Sequence, residues 1–288
     1  MRAALPLAEG RVERDGVGIR YERYGEGSPA IVLLPTWSLL TSRHWKMQVG
    51  YLSRHFTVVS FDGRGNGRSG RPTDPAAYTD VEFAEDTLEV MEATGVEKAV
   101  LVSASAGALW ALRLCAEHPD RVLGSVFIAP SVGLAPRPAE RDVQRFDDVI
   151  EEPVGWQKYN DHHWRTDYPD FVSFFIGQIF AEAHSTKQIE DGVGWALETT
   201  GETVSATHVG LEGCDEAQVR GLAARVACPV LVLHGTDDAL HRVDEGAALA
   251  ECTGGSLVAL HGCGHFPHAR DPVRVNLLIK EFVDRVAS

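Results

Sequence analysis

The segment Leu101-Val102-Ser103-Ala104-Ser105-Ala106-Gly107-Ala108 passes from an apolar run, through a string of small residues, straight into a helical pattern. A serine on such a sharp strand-to-helix turn presents its hydroxyl at the edge of a sheet, near the positive end of the helix dipole. The neighbours have to be small because strand and helix backbones nearly touch there. The pattern is Ser-x-Ser-x-Gly, with Ser103 where a glycine commonly stands.

Similar apolar runs recur at residues 30–34, 56–61, 99–103, 125–129, 229–233 and 256–260. Each is short, apolar on both sides and mostly β-branched, as a strand covered on both faces requires. Helical patterns lie between them. Thr79 and Glu82 have capping-box spacing ahead of Phe83, Ala84, Leu88 and Met91, which share one helical face. Ala108, Ala111, Leu112 and Cys115 share another, before Pro119 ends the segment. Asp271-Pro272 reads as N-cap and first position of a closing helix with Val275, Leu278, Ile279 and Phe282 inward. The alternation predicts an α/β fold with a mostly parallel sheet flanked by helices.

Between residues 133 and 216 the alternation stops. That stretch holds ten of the 23 aromatic residues, which predicts a helical cap inserted into a core of residues 1–132 and 217–288. A cap of this kind sits over the C-terminal edge of the sheet, where open α/β folds bind ligands. Most of its aromatics are expected to form the cap's own small core.

The 288 residues include 41 acidic and 27 basic side chains, a net charge of −14. A basic face for a polyanion is absent, which argues against a nucleic-acid partner. Residues 133–216 carry 17 acidic and 6 basic side chains, a net of −11 that leaves −3 for the rest. The plain reading is a solvated outer face. The sharper one is a cap that disfavours anionic substrates. Cys115, Cys214, Cys228, Cys252 and Cys263 are scattered and contain no Cys-x-x-Cys pair, so neither a disulfide framework nor a zinc knuckle is predicted. The N-terminus lacks the apolar core of a signal peptide, and no apolar run approaches the ~20 residues of a membrane helix. A reduced, cytoplasmic protein without metal, cofactor or membrane contact is expected.

A serine hydroxyl is a weak nucleophile that needs a base, and the base needs an orienting carboxylate. Both follow in the chain. Asp237 and Asp238 come just after the run at 229–233, and His265 lies in Gly262-Cys263-Gly264-His265-Phe266 after the last run. The order serine, aspartate, histidine is that of α/β-hydrolases. His234, His241, His261 and His268 flank these positions and are read as loop or supporting residues.

On these features the chain resembles a capped, esterase- and lipase-like serine hydrolase of the α/β-hydrolase fold, over roughly residues 16–286. Asp62-Gly63-Arg64-Gly65-Asn66-Gly67-Arg68-Ser69 is similar to the family's Asp-x-Arg-Gly-x-Gly-x-Ser turn, and His265 with Asp271-Pro272 to its closing motif. Asp62, Arg64 and Asp86 are given structural readings, a tight turn and a helix-surface charge. The resemblance implies Ser105 as nucleophile, Asp238 rather than Asp237 as acid, and His265 as base. It implies an oxyanion hole made by the N–H groups of Ala106 and Trp37, where Pro35-Thr36-Trp37-Ser38 replaces the usual His-Gly-x-Pro. Trp37 would narrow the acyl side of the pocket, and Trp164 and Phe174 are the cap aromatics expected at the substrate. The implied reaction is hydrolysis of a small, neutral, largely apolar ester, lactone or thioester. The same triad serves carbon–carbon bond hydrolases, perhydrolases, acyltransferases and lyases, and the same fold can serve as a non-catalytic binding protein.

Overall fold

The computed structural model describes residues 4–288; residues 1–3 of the N-terminal stretch read above lie outside the described residues. One eight-stranded sheet runs through the molecule: β1 (Ala8–Arg14), β2 (Val17–Tyr24), β3 (Ala30–Leu33), β4 (Thr57–Phe61), β5 (Ala99–Ala104), β6 (Val122–Ile128), β7 (Val230–Gly235) and β8 (Ser256–Leu260). Their spatial order is β1-β2-β4-β3-β5-β6-β7-β8. Strands β3 to β8 pair in parallel, while β2 pairs antiparallel with both β1 and β4.

All six expected strands form. β4 and β5 are buried along their whole length, because helices cover both faces. In β3, Ile31 and Leu33 face one apolar core, and Val32 and the following Leu34 face the other.

The β1–β2 hairpin was not foreseen, although its signal is present. Asp15-Gly16 joins the strands with φ of +51° and +78°, the conformation that a tight type I′ hairpin turn demands. The exposure of β1 hides it from a search for apolar runs.

α1 (Lys46–Leu52) lies between β3 and β4 and the short α10 (Pro267–Arg270) follows β8, while the helices at Thr79 and Asp271 start where their caps predicted. Thr79 caps α2 (Asp80–Ala93) by accepting from the Glu82 N–H. The reciprocal half of the capping box gives way to a stronger partner, since the Glu82 carboxylate pairs with Arg14 and Arg64. α3 (Gly107–Glu117) follows β5 without a side-chain cap. Asp271 caps α11 (Pro272–Ala287), whose Val275, Ile279 and Phe282 are buried.

Asp86 is not the surface charge expected. It lies at 0% exposure and takes Arg64 in a two-pronged pair, Nε–Oδ2 and Nη2–Oδ1 both at 2.7 Å, with Arg14 Nε on Oδ1 at 2.8 Å. This pair locks the glycine-rich turn after β4 against α2. Asp62, in the same turn, accepts from the Ser42 N–H and hydroxyl and from the Arg68 N–H.

Between β6 and β7 come α4 (Asp161–Thr166), α5 (Tyr168–Ile179), α6 (Thr186–Ala196), α7 (Gly201–Leu211) and α8 (Glu216–Ala223), with no strand among the described residues. α9 (Val243–Thr253) lies between β7 and β8. Its Glu245, 2% exposed, accepts the backbone N–H groups of Val132, Gly133, Leu134 and Ala135 and so fixes the point where the chain leaves the sheet. Among the described residues no helix is long and apolar enough to cross a membrane.

Candidate active site

Ser105 sits between β5 and α3 with φ of +52°, a left-handed backbone that a residue with a side chain rarely adopts. Three backbone bonds hold it there: its N–H donates to the Ile128 carbonyl, and its own carbonyl accepts from Ala108 and Ser131. The turn is tight enough that a Cβ on Gly107 would lie 2.7 Å from the Pro35 carbonyl oxygen. The same imagined atom would stand 3.5 Å from the Ser103 Cβ. That is ordinary van der Waals contact, so the Pro35 carbonyl rather than Ser103 is what requires glycine at 107, and the Ser103 hydroxyl donates to the Val126 carbonyl.

Asp238 and His265 come together from the ends of β7 and β8. His265 Nδ1 is 2.8 Å from Asp238 Oδ2. Asp237, by contrast, is exposed, and among the described residues its carboxylate meets only the neighbouring Thr236 hydroxyl. The two loops interlock: the Asp237 N–H donates to the Cys263 carbonyl, and a Cβ on Gly235 would strike that carbonyl at 2.2 Å.

Asp238 is fully subscribed. Oδ1 accepts from the Leu240 and His241 N–H groups, and Oδ2 also meets His234 Nε2 at 3.0 Å. Burial alone would raise its carboxyl pKa, but His265 and His234 outweigh burial and hold it well below the usual carboxylate range. An ionised Asp238 keeps the His265 proton on Nδ1 and leaves Nε2 as the basic nitrogen. His234 was expected only as a flanking residue; its role as a second partner of the acid required the folded loop. His265 is otherwise held by Phe266, stacked at 5.2 Å, and by a Glu182 bond to the preceding Gly264 N–H.

Ser105 and His265 line one small cavity of about 30 Å³ with Trp37, Phe175, Ile179 and Leu240. Ser105 also lines a larger one of about 490 Å³, with Ala106, Trp37, Tyr159, Arg137 and Arg141 among its walls. The backbone N–H groups of Trp37 and Ala106 donate to no acceptor among the described residues. Trp164 and Phe174 wall neither cavity. Trp164 is buried against Phe171 and Tyr159 with its indole N–H on the Lys158 carbonyl, and Phe174 packs edge-on against Trp156. The aromatics of residues 133–216 that do line the cavities are Tyr159 and Phe175. On α5, Phe175 lies one position beyond Phe174, about 100° further round the helix.

The sequence model of the family described as alpha/beta hydrolase fold matches residues 29–272. The chain belongs to that family. The match begins just after the β1–β2 hairpin, and this α/β-hydrolase fold chain is similar along nearly its full length to the mouse serine hydrolase BPHL. They are 25% identical over 289 residues, covering 96% of this chain and 87% of the mouse protein. It is 36% identical to the RutD protein of Caulobacter segnis over 107 residues, 36% of this chain, and spans only 40% of that relative. Among solved structures, the enol-lactonase from Burkholderia xenovorans LB400 superposes with a TM-score of 0.78 at 22% identity, over 96% of this chain and all of that one. The aryl esterase-like chain from Burkholderia cenocepacia gives 0.79 at 22% identity, over 97% and 99%. These likenesses establish the shared α/β-hydrolase fold.

Proposed function

We propose that this chain is a serine hydrolase that cleaves a small ester, lactone or thioester through an acyl-enzyme on Ser105, with residues 133–216 as the cap over the site. The observation that carries the reading is a strained Ser105 facing the same cavity as a histidine whose far nitrogen is oriented by a saturated, ionised aspartate.

In this reading Ser105 Oγ attacks the substrate carbonyl while His265 Nε2 takes its proton. The tetrahedral oxyanion is received by the N–H groups of Ala106 and Trp37. Ala106 stands at the N-terminus of α3, where the helix dipole favours negative charge. His265 then returns the proton to the leaving oxygen or sulfur. A water, deprotonated by the same nitrogen, attacks the acyl group and restores Ser105.

A fluorophosphonate probe and p-nitrophenyl butyrate test the proposal together. The expected result is labelling of Ser105 and a loss of at least ~10³-fold in turnover in S105A. An unlabelled protein, or a variant of unchanged activity, would overturn it in favour of a binding protein on this fold.

A further inference from the structure

The larger cavity beside Ser105 carries two guanidinium groups that form no ion pair with a carboxylate among the described residues. Arg137 is exposed and has neither hydrogen bond nor ion pair among the described residues. Arg141 donates from Nη1 to the Leu240 carbonyl at 2.6 Å, and its guanidinium lies 4.8 Å from the Trp156 ring and 5.7 Å from that of Tyr159. Its Nε and Nη2 have no acceptor among the described residues. Stacked on two rings and anchored at one nitrogen, Arg141 is a rigid donor fork with its remaining N–H groups unspent.

The other ionisable groups of the cavity wall do not supply the missing anion. Glu245 is spent on four backbone N–H groups. Glu212, also on this wall, is 59% exposed and its Oε1 lies 3.2 Å from His208 Nε2. His208 is pushed down to about 4, chiefly by burial and next by Arg137 and Arg141. His241, 3.4 Å from Arg141 Nη1, is held neutral in the same way. Arg141 itself is lowered, by burial first, with Arg137 opposing its charge as well and the attraction of Asp238 too weak to offset them. A desolvated cation with a second cation nearby is a costly arrangement unless an anion visits it.

Resting on the serine-hydrolase reading, we infer that the substrate carries a carboxylate on its acyl part, held by Arg137 and Arg141 while its ester carbonyl lies at Ser105. This replaces the expectation of a neutral substrate. That expectation came from the net charge of the whole cap, whereas the cavity wall presents two of the cap's six basic residues. A short dicarboxylic monoester, or a lactone bearing a carboxylate side chain, fits the arrangement, with Tyr159, Phe175 and Trp37 against its methylene chain.

The test compares mono-p-nitrophenyl glutarate with p-nitrophenyl valerate, which match in acyl length and differ in the terminal carboxylate. The wild type is expected to favour the glutarate ester by about tenfold or more in kcat/KM at low salt, and less at 0.5 M salt. The double variant R137Q/R141K keeps a cation able to reach the Leu240 carbonyl, so the loop remains anchored. It should lose about tenfold on the glutarate ester and less than threefold on the valerate ester. Equal rates on the two esters in the wild type, or equal losses in the variant, would overturn the inference.

Glutarate binding to the S105A protein, followed by calorimetry, separates the two readings. Binding that R137Q/R141K weakens at least tenfold supports the carboxylate site even if no ester is hydrolysed, in which case only the hydrolase reading fails. Ester turnover without charge preference, and without glutarate binding, leaves the hydrolase reading standing and removes this one.

Discussion

Oδ2 of Asp238 lies 2.8 Å from Nδ1 of His265 while three further donors occupy the same carboxylate. With every lone pair engaged, the carboxylate stays ionised and fixes one tautomer of the histidine. D238N would offer an amide donor where Nδ1–H must donate. Turnover of p-nitrophenyl butyrate should fall by ~10³–10⁴-fold with the fold intact. D237N, altering an exposed side chain, should stay within about twofold. A reversed ranking of the two variants would remove Asp238 from the mechanism.

Acid should destabilise the protein well above the carboxylate range. Burial holds His44 down to about 3, His208 down to about 4, and His241 and His268 well below normal. A histidine whose folded pKa lies below its unfolded ~6.5 gives its full stability above that pH. It loses that stability as pH falls towards the folded value, because the unfolded chain binds the proton first. At pH 5.5 a fully buried histidine such as His44 should cost about 1.4 kcal/mol. Asp238, depressed instead from ~3.9, begins to lose its contribution only below that pH and is silent here. Thermal melts at pH 7.5 and 5.5 should show a fall in Tm, and H44N should shrink it. A flat profile would contradict neutral burial.

Glu245 should be among the costliest side chains to remove. E245A strands the N–H groups of Val132, Gly133, Leu134 and Ala135 at a half-buried turn. A loss of about 3 kcal/mol or more is expected in urea unfolding. E245Q keeps one acceptor oxygen and should recover part of it. Wild-type stability in E245A would show that water or relaxation satisfies the turn.

The two small residues of the elbow should respond oppositely. G107V drives branched carbons into the Pro35 carbonyl, and should lose both stability and Ser105 labelling by fluorophosphonate. S103G removes one small CH2OH group, whose hydroxyl is bonded at 3.4 Å, and should keep activity within a few-fold and stability within about 1 kcal/mol. Equal damage from both would mean that Ser103 shapes the turn in some other way.

Much of this was legible before folding. The six parallel strands were visible because strands covered on both faces need unbroken apolar runs, and the edge strand β8, only partly buried, keeps the same kind of run. The Ser105 turn was visible because crossing backbones demand small residues in sequence. Caps at Thr79 and Asp271 were equally local. The signal of the hairpin at Asp15-Gly16 is local too, but it lies in the turn rather than in an apolar run.

What the chain alone determined, then, is everything whose cause lies within a few neighbouring residues: strand, elbow, cap, and the order of serine, acid and base. Tertiary structure decided the rest. It buried Asp86 against Arg64, put His234 on Asp238, and chose Phe175 over Phe174. It also put Arg137 and Arg141 on the wall of a cavity that Ser105 lines, within a stretch, residues 133–216, whose overall charge is negative. The physical reason is range. Backbone preference and side-chain volume act between neighbours, whereas a pocket's charge depends on which few side chains turn inward, and residues far apart in sequence settle that together.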